Sequence, residues 1–312
     1  MARAVFMGSD SFSVPILRAL IERGPGLAEP TAVTAVVTRP DRPAGRGRKQ
    51  QSSPVKLLAS AENIPVLTPV RARDHVAEIL AGKPDVLVVA SYGQILPAAL
   101  IDAPPRRSLN LHPSLLPRYR GPSPVQSAIL SGDRVTGTSL MVVTRRMDAG
   151  PILAQREMRV GEDETAGRLE HRLAEASADL LLEHLPGWLR GTLVPREQDE
   201  SNATYSRLLS KADGHMEWEL PAETLARQVR AFNPWPGSYT FWGDRRLRVL
   251  RASVVPGAAD PGEVVRAPGG IAVGTGDNLL LLEEVQPEGG RPMAGTSFAA
   301  GNRAFVGTRL EG

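Results

Sequence analysis

The sequence contains no cysteine among its 312 residues. Disulfide bonds, thiolate nucleophiles and cysteine-ligated metal sites are therefore excluded. Aromatic residues make up only 4% of the chain, which leaves little material for extensive stacking on nucleic-acid bases. The apolar runs, such as VLVVA at 86–90, are far shorter than the roughly 20 residues of a membrane helix. The N-terminal MARAVFMGSD lacks the apolar region of a signal peptide, so we expect a cytoplasmic protein.

Two phosphate-binding fingerprints are also missing. The turn FMGSDSF after the first strand has one glycine instead of G-x-G-x-x-G, and no G-x-x-x-x-G-K-[ST] occurs. A dinucleotide-binding enzyme and a P-loop enzyme are thus not supported. The histidines, at positions 75, 112, 171, 184 and 215, form neither an i, i+4 pair nor a His-x-x-Glu-His motif. We therefore expect no metal site.

The positive charge of the chain is concentrated in one segment. The net charge is +3, yet residues 211–312 hold eleven Lys/Arg and twelve Asp/Glu, a net charge of −1. The segment RPDRPAGRGRK (39–49) alone carries a net charge of +4. Its Pro and Gly content and its lack of apolar periodicity predict a loop. Such a loop is either a solvated surface feature or an arm that contacts phosphates, and composition leaves both interpretations open.

Strand and helix patterns alternate through the first two thirds of the chain, which favours a parallel-rich, doubly wound α/β sheet. Short strands rich in Val, Leu, Gly and Pro follow from about Ser238 and predict a small all-β barrel or sandwich. We expect a catalytic domain at 1–190, a polar linker at 191–209 and a second domain at 210–312. The predicted strands of the first domain are 2–8, 31–38, 65–69, 84–93, 108–112 and 136–143, and its helices are 13–24, 53–63, 73–82, 124–133 and 164–189.

The segment SLNLHP combines an amide and an imidazole on one strand face. Alternation places Asn110 and His112 on the same side, and Pro113 ends the strand just after them. Asp148 follows the next predicted strand, so we expect it at the same carboxyl edge, where α/β sheets bind ligands. A lone histidine at a strand end is usually a satisfied polar residue. An amide, an imidazole and a carboxylate together are suited to acyl transfer.

Longer motifs carry a family resemblance. NLHPSLLPRYRGPSPVQ and MDAGPIL resemble the core of the formyltransferases that use 10-formyltetrahydrofolate. TRPDRPAGRGRK, SYGQILP, ATYSRLLSKADG and RAFNPWPGSY resemble the members of that family that formylate methionyl initiator tRNA. The resemblance implies a Rossmann-like catalytic domain, a C-terminal barrel like an OB-fold, 10-formyltetrahydrofolate as formyl donor and methionyl initiator tRNA as acceptor. We also expect a monomer that uses no metal.

The resemblance assigns roles to individual residues. Its catalytic asparagine, histidine and aspartate fall on Asn110, His112 and Asp148. Asn110 and a protonated His112 would donate to the formyl oxygen, His112 would also shuttle a proton, and Asp148 would orient the imidazole. The implied folate contacts are Ser114, Leu115, Leu116, Pro117, Gln94, Ile95 and Leu96. The implied tRNA contacts are Arg39, Arg42, Arg46, Arg48 and Lys49.

Other functions share part of this pattern. A sugar-nucleotide N-formyltransferase would use the same three catalytic residues, but the basic loop and the C-terminal barrel argue against it. A non-catalytic RNA-binding protein would leave the Asn/His/Asp set without a purpose. The barrel's net charge is slightly negative, and RRLRVLR (245–251) places its arginines on two faces of a strand. RNA contact by the barrel is therefore implied mainly by the resemblance.

Overall fold

The computed structural model describes residues 1–44 and 49–311. Contacts divide the chain into two compact units. The first comprises Met1–Pro124, Val135–Arg159 and Glu170–Ser206, and the second comprises Val125–Arg134, Val160–Leu169 and Arg207–Gly312. Within the described residues, no helix has both the length and the apolar composition required to span a bilayer.

The first unit is built on a seven-stranded sheet. The strands up to the end of this sheet are β1 (Ala2–Gly8), β2 (Thr31–Val37), β3 (Arg42–Ala44), β4 (Lys49–Gln51), β5 (Val66–Leu67), β6 (Val86–Ala90), β7 (Ser108–His112), β8 (Val135–Val142) and β9 (Ile152–Arg159). The helices along this part of the chain are α1 (Ser13–Arg23), α2 (Pro54–Ala61), α3 (Val76–Leu80), α4 (Ala98–Asp102), α5 (Pro124–Leu130) and α6 (Ala166–Arg190). Helix α5 from Val125 onward and α6 up to Leu169 belong to the second unit. Short 3₁₀ turns occur at Gly24–Gly26, Ala72–Asp74, Glu200–Asn202 and Ala212–Gly214.

The strand order in the sheet is β5-β2-β1-β6-β7-β8-β9. The strands from β5 to β7 pair in parallel, and β8 and β9 continue the sheet antiparallel. The predicted parallel-rich sheet is therefore confirmed. Both faces of β1 and β6 are buried along most of their length, as expected for parallel strands in the middle of a sheet. Met7, Leu87 and Val89 pack there in one core cluster.

Two features of this sheet were not predicted. Strand β9 was missed because it is an edge strand with one half-exposed face, which gives its residues AQREMR a polar composition. The direction of β8 was also missed, since period-two alternation does not reveal direction. Leu109 lies opposite Val142 and His112 lies opposite Ser139, so the end of β8 lies beside the start of β7.

The second unit contains an antiparallel sheet. Its strands are β10 (Ser238–Trp242), β11 (Arg245–Val255), β12 (Val264–Ala267), β13 (Gly270–Gly274), β14 (Leu279–Pro287) and β15 (Met293–Ala294), in the order β10-β11-β14-β13-β12 with β15 beside β14. The last residues close this sheet, because Gly307 N donates to Val264 O at 2.8 Å and Glu311 N donates to Phe241 O at 3.1 Å. The predicted all-β character of the C-terminal domain is confirmed.

Helices α7 (Ala222–Ala231) and α8 (Gly295–Gly301) were not predicted in this domain. Helix α7 is amphipathic, and its buried Leu225 and Val229 join Trp218 in the core of the second unit. The 3.6-residue period of its apolar residues is the local signal that indicates this helix.

The basic segment 39–49 is not simply a loop. Arg42–Ala44 pairs antiparallel with Lys49–Gln51, so the described flanks form a short two-stranded ribbon. A solvent-exposed ribbon needs no apolar face, which explains why periodicity did not predict it. Positions 45–48, and with them the predicted tRNA contacts Arg46 and Arg48, lie outside the described residues.

The segment expected to be a linker makes specific contacts with the first unit. Arg196 and Ile152 exchange two backbone hydrogen bonds, of 2.7 and 2.8 Å. Farther along, Thr204 O accepts from Arg120 N at 2.9 Å, and Ser206 N donates to Arg120 O at 2.7 Å. The contact-based division places residues up to Ser206 in the first unit. The boundaries 1–190, 191–209 and 210–312 stay a prediction.

Candidate active site

Strand β7 presents three polar side chains on one face. The hydroxyl of Ser108 donates to Leu100 O at 2.9 Å and is fully buried. Asn110 and His112 follow at the next two positions of that face, close to the carboxyl end of the strand. Asn110 is half-buried, and within residues 1–44 and 49–311 no hydrogen bond to its side-chain amide is found. Its donor and acceptor are therefore available to a ligand.

The imidazole of His112 lies between two oxygen atoms. Its Nε2 is 2.9 Å from the carbonyl oxygen of Tyr119, and its Nδ1 is 3.7 Å from Oδ2 of Asp148. A carbonyl oxygen only accepts, so we assign the hydrogen of the neutral ring to Nε2. Nδ1 is then the basic nitrogen, and it faces the carboxylate. The His112 side chain is only 6% exposed, so the imidazole is screened from bulk water.

Asp148 reaches His112 by a different route from the one expected. Because β8 ends beside the start of β7, it is the connection to β9 that carries Asp148 to the imidazole. Asp148 Oδ2 accepts from Gly121 N at 2.9 Å, and the Asp148 backbone has a φ of +50°. At Gly150 a Cβ atom would overlap the carbonyl oxygen of Val142, so this turn requires glycine there.

Three residues around this pair were not predicted as functional. Arg120 is completely buried, and its guanidinium donates to Gln198 and to Glu200. Hydrogen bonds from Arg120 are the main reason why the pKa of Glu200 is lowered, and the bond to Glu200 raises the pKa of Arg120. Arg120 lies inside the RYRGP motif, but no local signal indicates that its partners lie near residue 200.

The predicted folate segment after β7 is partly core and partly cavity wall. Leu116 is 3% exposed and packs with Met141 and Ile152. Leu115 and Pro117 line a cavity of about 450 Å³. The remaining lining residues are Arg118, Ser201, Asn202, Ala203 and Thr204. Ser114 is buried, and its hydroxyl donates to Arg118 O at 2.6 Å.

The SYGQIL segment is anchored by its glutamine. Gln94 Oε1 accepts from Ala72 N at 2.9 Å, and its Nε2 donates to Pro69 O at 3.2 Å. Ile95 is 94% exposed, whereas Leu96 packs against the core of the first unit. Of these three predicted folate contacts, Ile95 is the one that presents an uncovered apolar side chain.

The predicted tRNA contacts occupy different environments. Arg42 is exposed on β3. The guanidinium of Arg39 lies close to Gly93, where a Cβ would be 3.2 Å from Nη1. Lys49 begins β4. The structure thus places Arg39 against the SYGQIL segment and Arg42 on the surface.

Two partly buried carboxyl groups lie near the carboxyl end of β1. Burial raises the pKa of Asp10, although hydrogen bonds from Ser91 and Ser13 and the charge of Arg39 act in the opposite direction. Burial also raises the pKa of Glu170, and the negative charge of Asp10 adds to this rise. In the described part of the chain, no group of three His, Cys, Asp or Glu residues is arranged to hold a metal ion.

The arginines of RRLRVLR divide between surfaces, as the strand alternation predicts. Arg245 lies over the ring of Trp242, 4.5 Å from its centroid, and Arg246 lies 5.8 Å from that of Tyr239. Arg251 pairs with Glu283 at 2.9 Å. Arg245 and Arg246 are thus each placed near an aromatic ring, on opposite faces of β11.

Comparison with known proteins identifies related sequences over both units. Residues 2–185 match the family described as formyl transferase, and residues 208–303 match the formyl transferase C-terminal domain. The methionyl-tRNA formyltransferase of Chloroflexus aurantiacus is 46% identical over 308 residues, covering 97% of each chain. The methionyl-tRNA formyltransferase of Geobacter sulfurreducens is 42% identical over 311 residues, covering 99% of this chain and 96% of that one.

Solved structures share the fold at much lower identity. HypX from Aquifex aeolicus in complex with tetrahydrofolic acid has a TM-score of 0.64 at 18% identity, covering 97% of this chain and 48% of HypX. The present chain thus spans about half the length of that protein. The sugar 3N-formyl transferase WlaRD has a TM-score of 0.63 at 16% identity, covering 90% of this chain and 96% of WlaRD.

Proposed function

The chain belongs to the formyl transferase family, and we propose that it transfers the formyl group of 10-formyltetrahydrofolate to the α-amine of methionyl initiator tRNA. The product is N-formylmethionyl-tRNA, used to start translation. The observation that carries this proposal is the 46% identity to a methionyl-tRNA formyltransferase over 97% of both chains, C-terminal domain included. Such a substrate implies a location in the cytoplasm.

The side chains at the end of β7 support the chemistry. As the amine attacks the formyl carbon, negative charge builds on the formyl oxygen, and a preorganised donor there lowers the barrier. The amide of Asn110, which has no hydrogen-bond partner among the described residues, is the donor we assign to this oxygen. Nε2 of His112 lies 2.9 Å from Tyr119 O, and in a protonated imidazole Nδ1 also carries a hydrogen, so the expected second donor role of a protonated His112 stays a prediction.

His112 and Asp148 support the proton transfer. Nδ1 of His112 is the nitrogen that accepts a proton from the attacking amine in this proposal. The carboxylate of Asp148, 3.7 Å away, stabilises the resulting imidazolium, and Tyr119 O holds the ring in place. The proton then passes to the folate nitrogen that leaves. This path needs no covalent enzyme intermediate.

The cavity beside the loop after β7 has apolar and polar walls that suit the folate donor. A cavity of about 450 Å³ is within the size range of small-molecule sites. It combines the apolar walls of Leu115 and Pro117 with the polar residues Asn202 and Thr204. We propose that these walls and the exposed Ile95 hold the pterin and the neighbouring part of the donor, whereas the buried Leu116 supports them from the core.

The tRNA is proposed to contact the basic segment 39–49. Arg42 is exposed on β3, which pairs with β4 in the short two-stranded ribbon. Contacts of this kind to phosphates position a nucleic acid without reading its bases. Arg245 and Arg246, which lie near aromatic rings on opposite faces of β11, are further candidate contacts.

A formyl-transfer assay tests the proposed function. The full chain is supplied with 10-formyltetrahydrofolate and, in separate reactions, with methionyl initiator tRNA, uncharged tRNA or an amino-sugar nucleotide. We expect formylation of the charged tRNA alone. Formylation of the amino-sugar nucleotide instead would assign the chain to the sugar-modifying branch, and tRNA binding without any formylation would favour a non-catalytic RNA-binding protein.

A further inference from the structure

His112 and Asp148 are held by two separate loops. The loop after β7 provides Tyr119 O, 2.9 Å from His112, and Gly121 N, which donates to Asp148 at 2.9 Å. The loop after β8 carries Asp148 itself. A fixed separation between the imidazole and the carboxylate therefore requires that the two loops be fixed relative to each other, and misplacement by about 1 Å can cost two orders of magnitude in rate.

Arg120 fixes the first of these loops from inside. It lies between Tyr119 and Gly121, and its side chain is 0% exposed. A buried guanidinium stays charged, so it requires several acceptors. Nε and Nη2 donate to Gln198 Oε1 at 3.1 and 2.8 Å, and Nη2 and Nη1 donate to Glu200 at 2.9 and 3.1 Å. Each of the three guanidinium nitrogens of Arg120 therefore donates at least one hydrogen bond.

Gln198 joins this guanidinium to the second loop. Its Nε2 donates to the carbonyl oxygens of Asp148, at 2.8 Å, and Gly150, at 2.7 Å, while Oε1 accepts from Arg120. A side-chain amide can accept through its oxygen and donate two hydrogen bonds through its nitrogen. The side chain is 8% exposed, so water does not readily replace these bonds.

The bonds from Gln198 act on a backbone that has a demanding conformation. Asp148 has a φ of +50°, which non-glycine residues disfavour. Hydrogen bonds to the carbonyls on both sides of Ala149 hold the chain in that conformation. The same bonds therefore decide where the Asp148 carboxylate lies relative to Nδ1 of His112.

We propose that Gln198, through its link to Arg120, is a positioning residue that sets the separation between His112 and Asp148. Its role rests on the proposed formyl transfer, because these are the groups that would move the proton. Gln198 itself does not touch the substrate. Loss of its two donors would displace Asp148 and slow turnover while leaving binding of the formyl donor intact.

The variant Gln198→Glu tests this role, since it keeps the size and the acceptors toward Arg120 but removes both donors. We expect kcat to fall about 10- to 100-fold and KM for 10-formyltetrahydrofolate to stay within about twofold. The pH dependence of kcat and the NMR chemical shifts of the His112 ring should also change. Gln198→Asn keeps the amide but shortens the side chain by one methylene. It should also show a lower kcat with a nearly unchanged KM for 10-formyltetrahydrofolate.

Gln228→Glu is the matched control. Gln228 is 7% exposed in the second unit, and its Nε2 donates to two carbonyl oxygens, those of Asp213 at 3.3 Å and His215 at 3.0 Å. We expect the melting temperature of Gln228→Glu to fall about as much as that of Gln198→Glu, because each variant loses two comparable hydrogen bonds. Its kcat at saturating tRNA and its His112 resonances should not change.

The outcomes separate this role from simple stabilisation. A folded Gln198→Glu or Gln198→Asn protein that keeps more than half of the wild-type kcat overturns the proposal, as does an equal loss of kcat in the Gln228 control. If Gln198→Glu does not fold, the Asn variant decides. An inactive wild-type chain would count against formyl transfer itself, and unchanged His112 resonances in the variants would then overturn the positioning role independently.

Discussion

The carboxylate of Asp148 accepts a hydrogen bond of 2.9 Å from the backbone amide of Gly121, and the same Oδ2 atom lies 3.7 Å from Nδ1 of His112. One oxygen thus serves both the loop that supports the site and the imidazole. At Gly121 φ is +108°, and a Cβ would be 2.7 Å from Ser206 O, so only glycine allows this approach.

Asp148→Asn separates the charge of this group from its shape. Asn retains an oxygen that accepts from Gly121 N, but it cannot stabilise an imidazolium at His112. We expect kcat to fall about 100- to 10,000-fold, with little change in KM for the formyl donor. Steady-state formylation of charged tRNA measures this. Asp85→Asn is the control, since Asp85 also accepts from a backbone amide, Arg3 N at 2.7 Å, outside the site. More than a tenth of wild-type turnover in Asp148→Asn would refute the assigned role.

Asn110→Ala tests the proposed donor to the formyl oxygen. We expect kcat to fall about 100- to 1,000-fold, because one preorganised donor is lost from the transition state. Stability should hardly change, since the amide has no hydrogen-bond partner among the described residues. Ser108→Ala, on the same strand face, is the control and should lower stability without lowering kcat. It removes the bond to Leu100 O, so the free energy of unfolding should fall by about 1 kcal/mol while kcat is unaffected. Equal kcat values for the two variants would contradict the assignment.

The sequence was sufficient to predict how Asn110 and His112 share a face, because period two is a local property of a strand. It was not sufficient to predict how Asp148 joins them. That contact depends on the antiparallel direction of β8 and on the return of the chain toward β9, and neither is encoded in a short pattern. The prediction that Asn110, His112 and Asp148 lie in one region therefore assumed the wrong direction for β8.

Arg120 and Gln198 illustrate the second limit of sequence reasoning. Both residues are polar, and polar residues in segments without periodicity are typical of exposed loops. Their burial follows from a pairing between segments that are almost eighty positions apart in the chain. A sequence pattern can place a motif such as RYRGP near a site, but it does not show which distant amide satisfies a buried guanidinium.

Arginines of the basic segment provide the third prediction. Replacing Arg42, Arg46 and Arg48 with Ala should raise KM for tRNA and reduce the slope of its logarithm against log[salt] by up to about 0.7–0.9 for each lost phosphate contact. The KM for the formyl donor should hardly move. Arg18→Ala on α1 removes an exposed charge elsewhere and is the control. If the donor KM rises while the tRNA salt slope is unchanged, the segment belongs to the folate site instead.

Glu170 and Asp10 provide a prediction about stability and pH. Burial raises the pKa of both carboxyl groups, and the charge of Asp10 further raises that of Glu170. The folded state therefore favours the protonated forms. The resulting stability is fully present below the pKa values of the unfolded chain and is lost as the pH rises through those of the folded chain. The contribution of these two groups to the free energy of unfolding should consequently fall between acidic and neutral pH.

Glu170→Gln removes the charge that Glu170 carries at neutral pH in this partly buried position. We expect its melting temperature to exceed that of the wild type near pH 7.5 and to equal it near pH 4, where Glu170 of the folded chain is protonated. Ser11, whose hydroxyl donates to Glu170 Oε1 at 3.2 Å, can donate to the new amide oxygen as well. The gain should shrink when Asp10→Asn is also present, because the repulsion between the two carboxylates is then already absent. Glu62→Gln, at an exposed site, should show no such pH-dependent gain. A melting temperature for Glu170→Gln that is lower than that of the wild type at pH 7.5 would show that the Glu170 carboxylate stabilises the fold, contrary to this prediction.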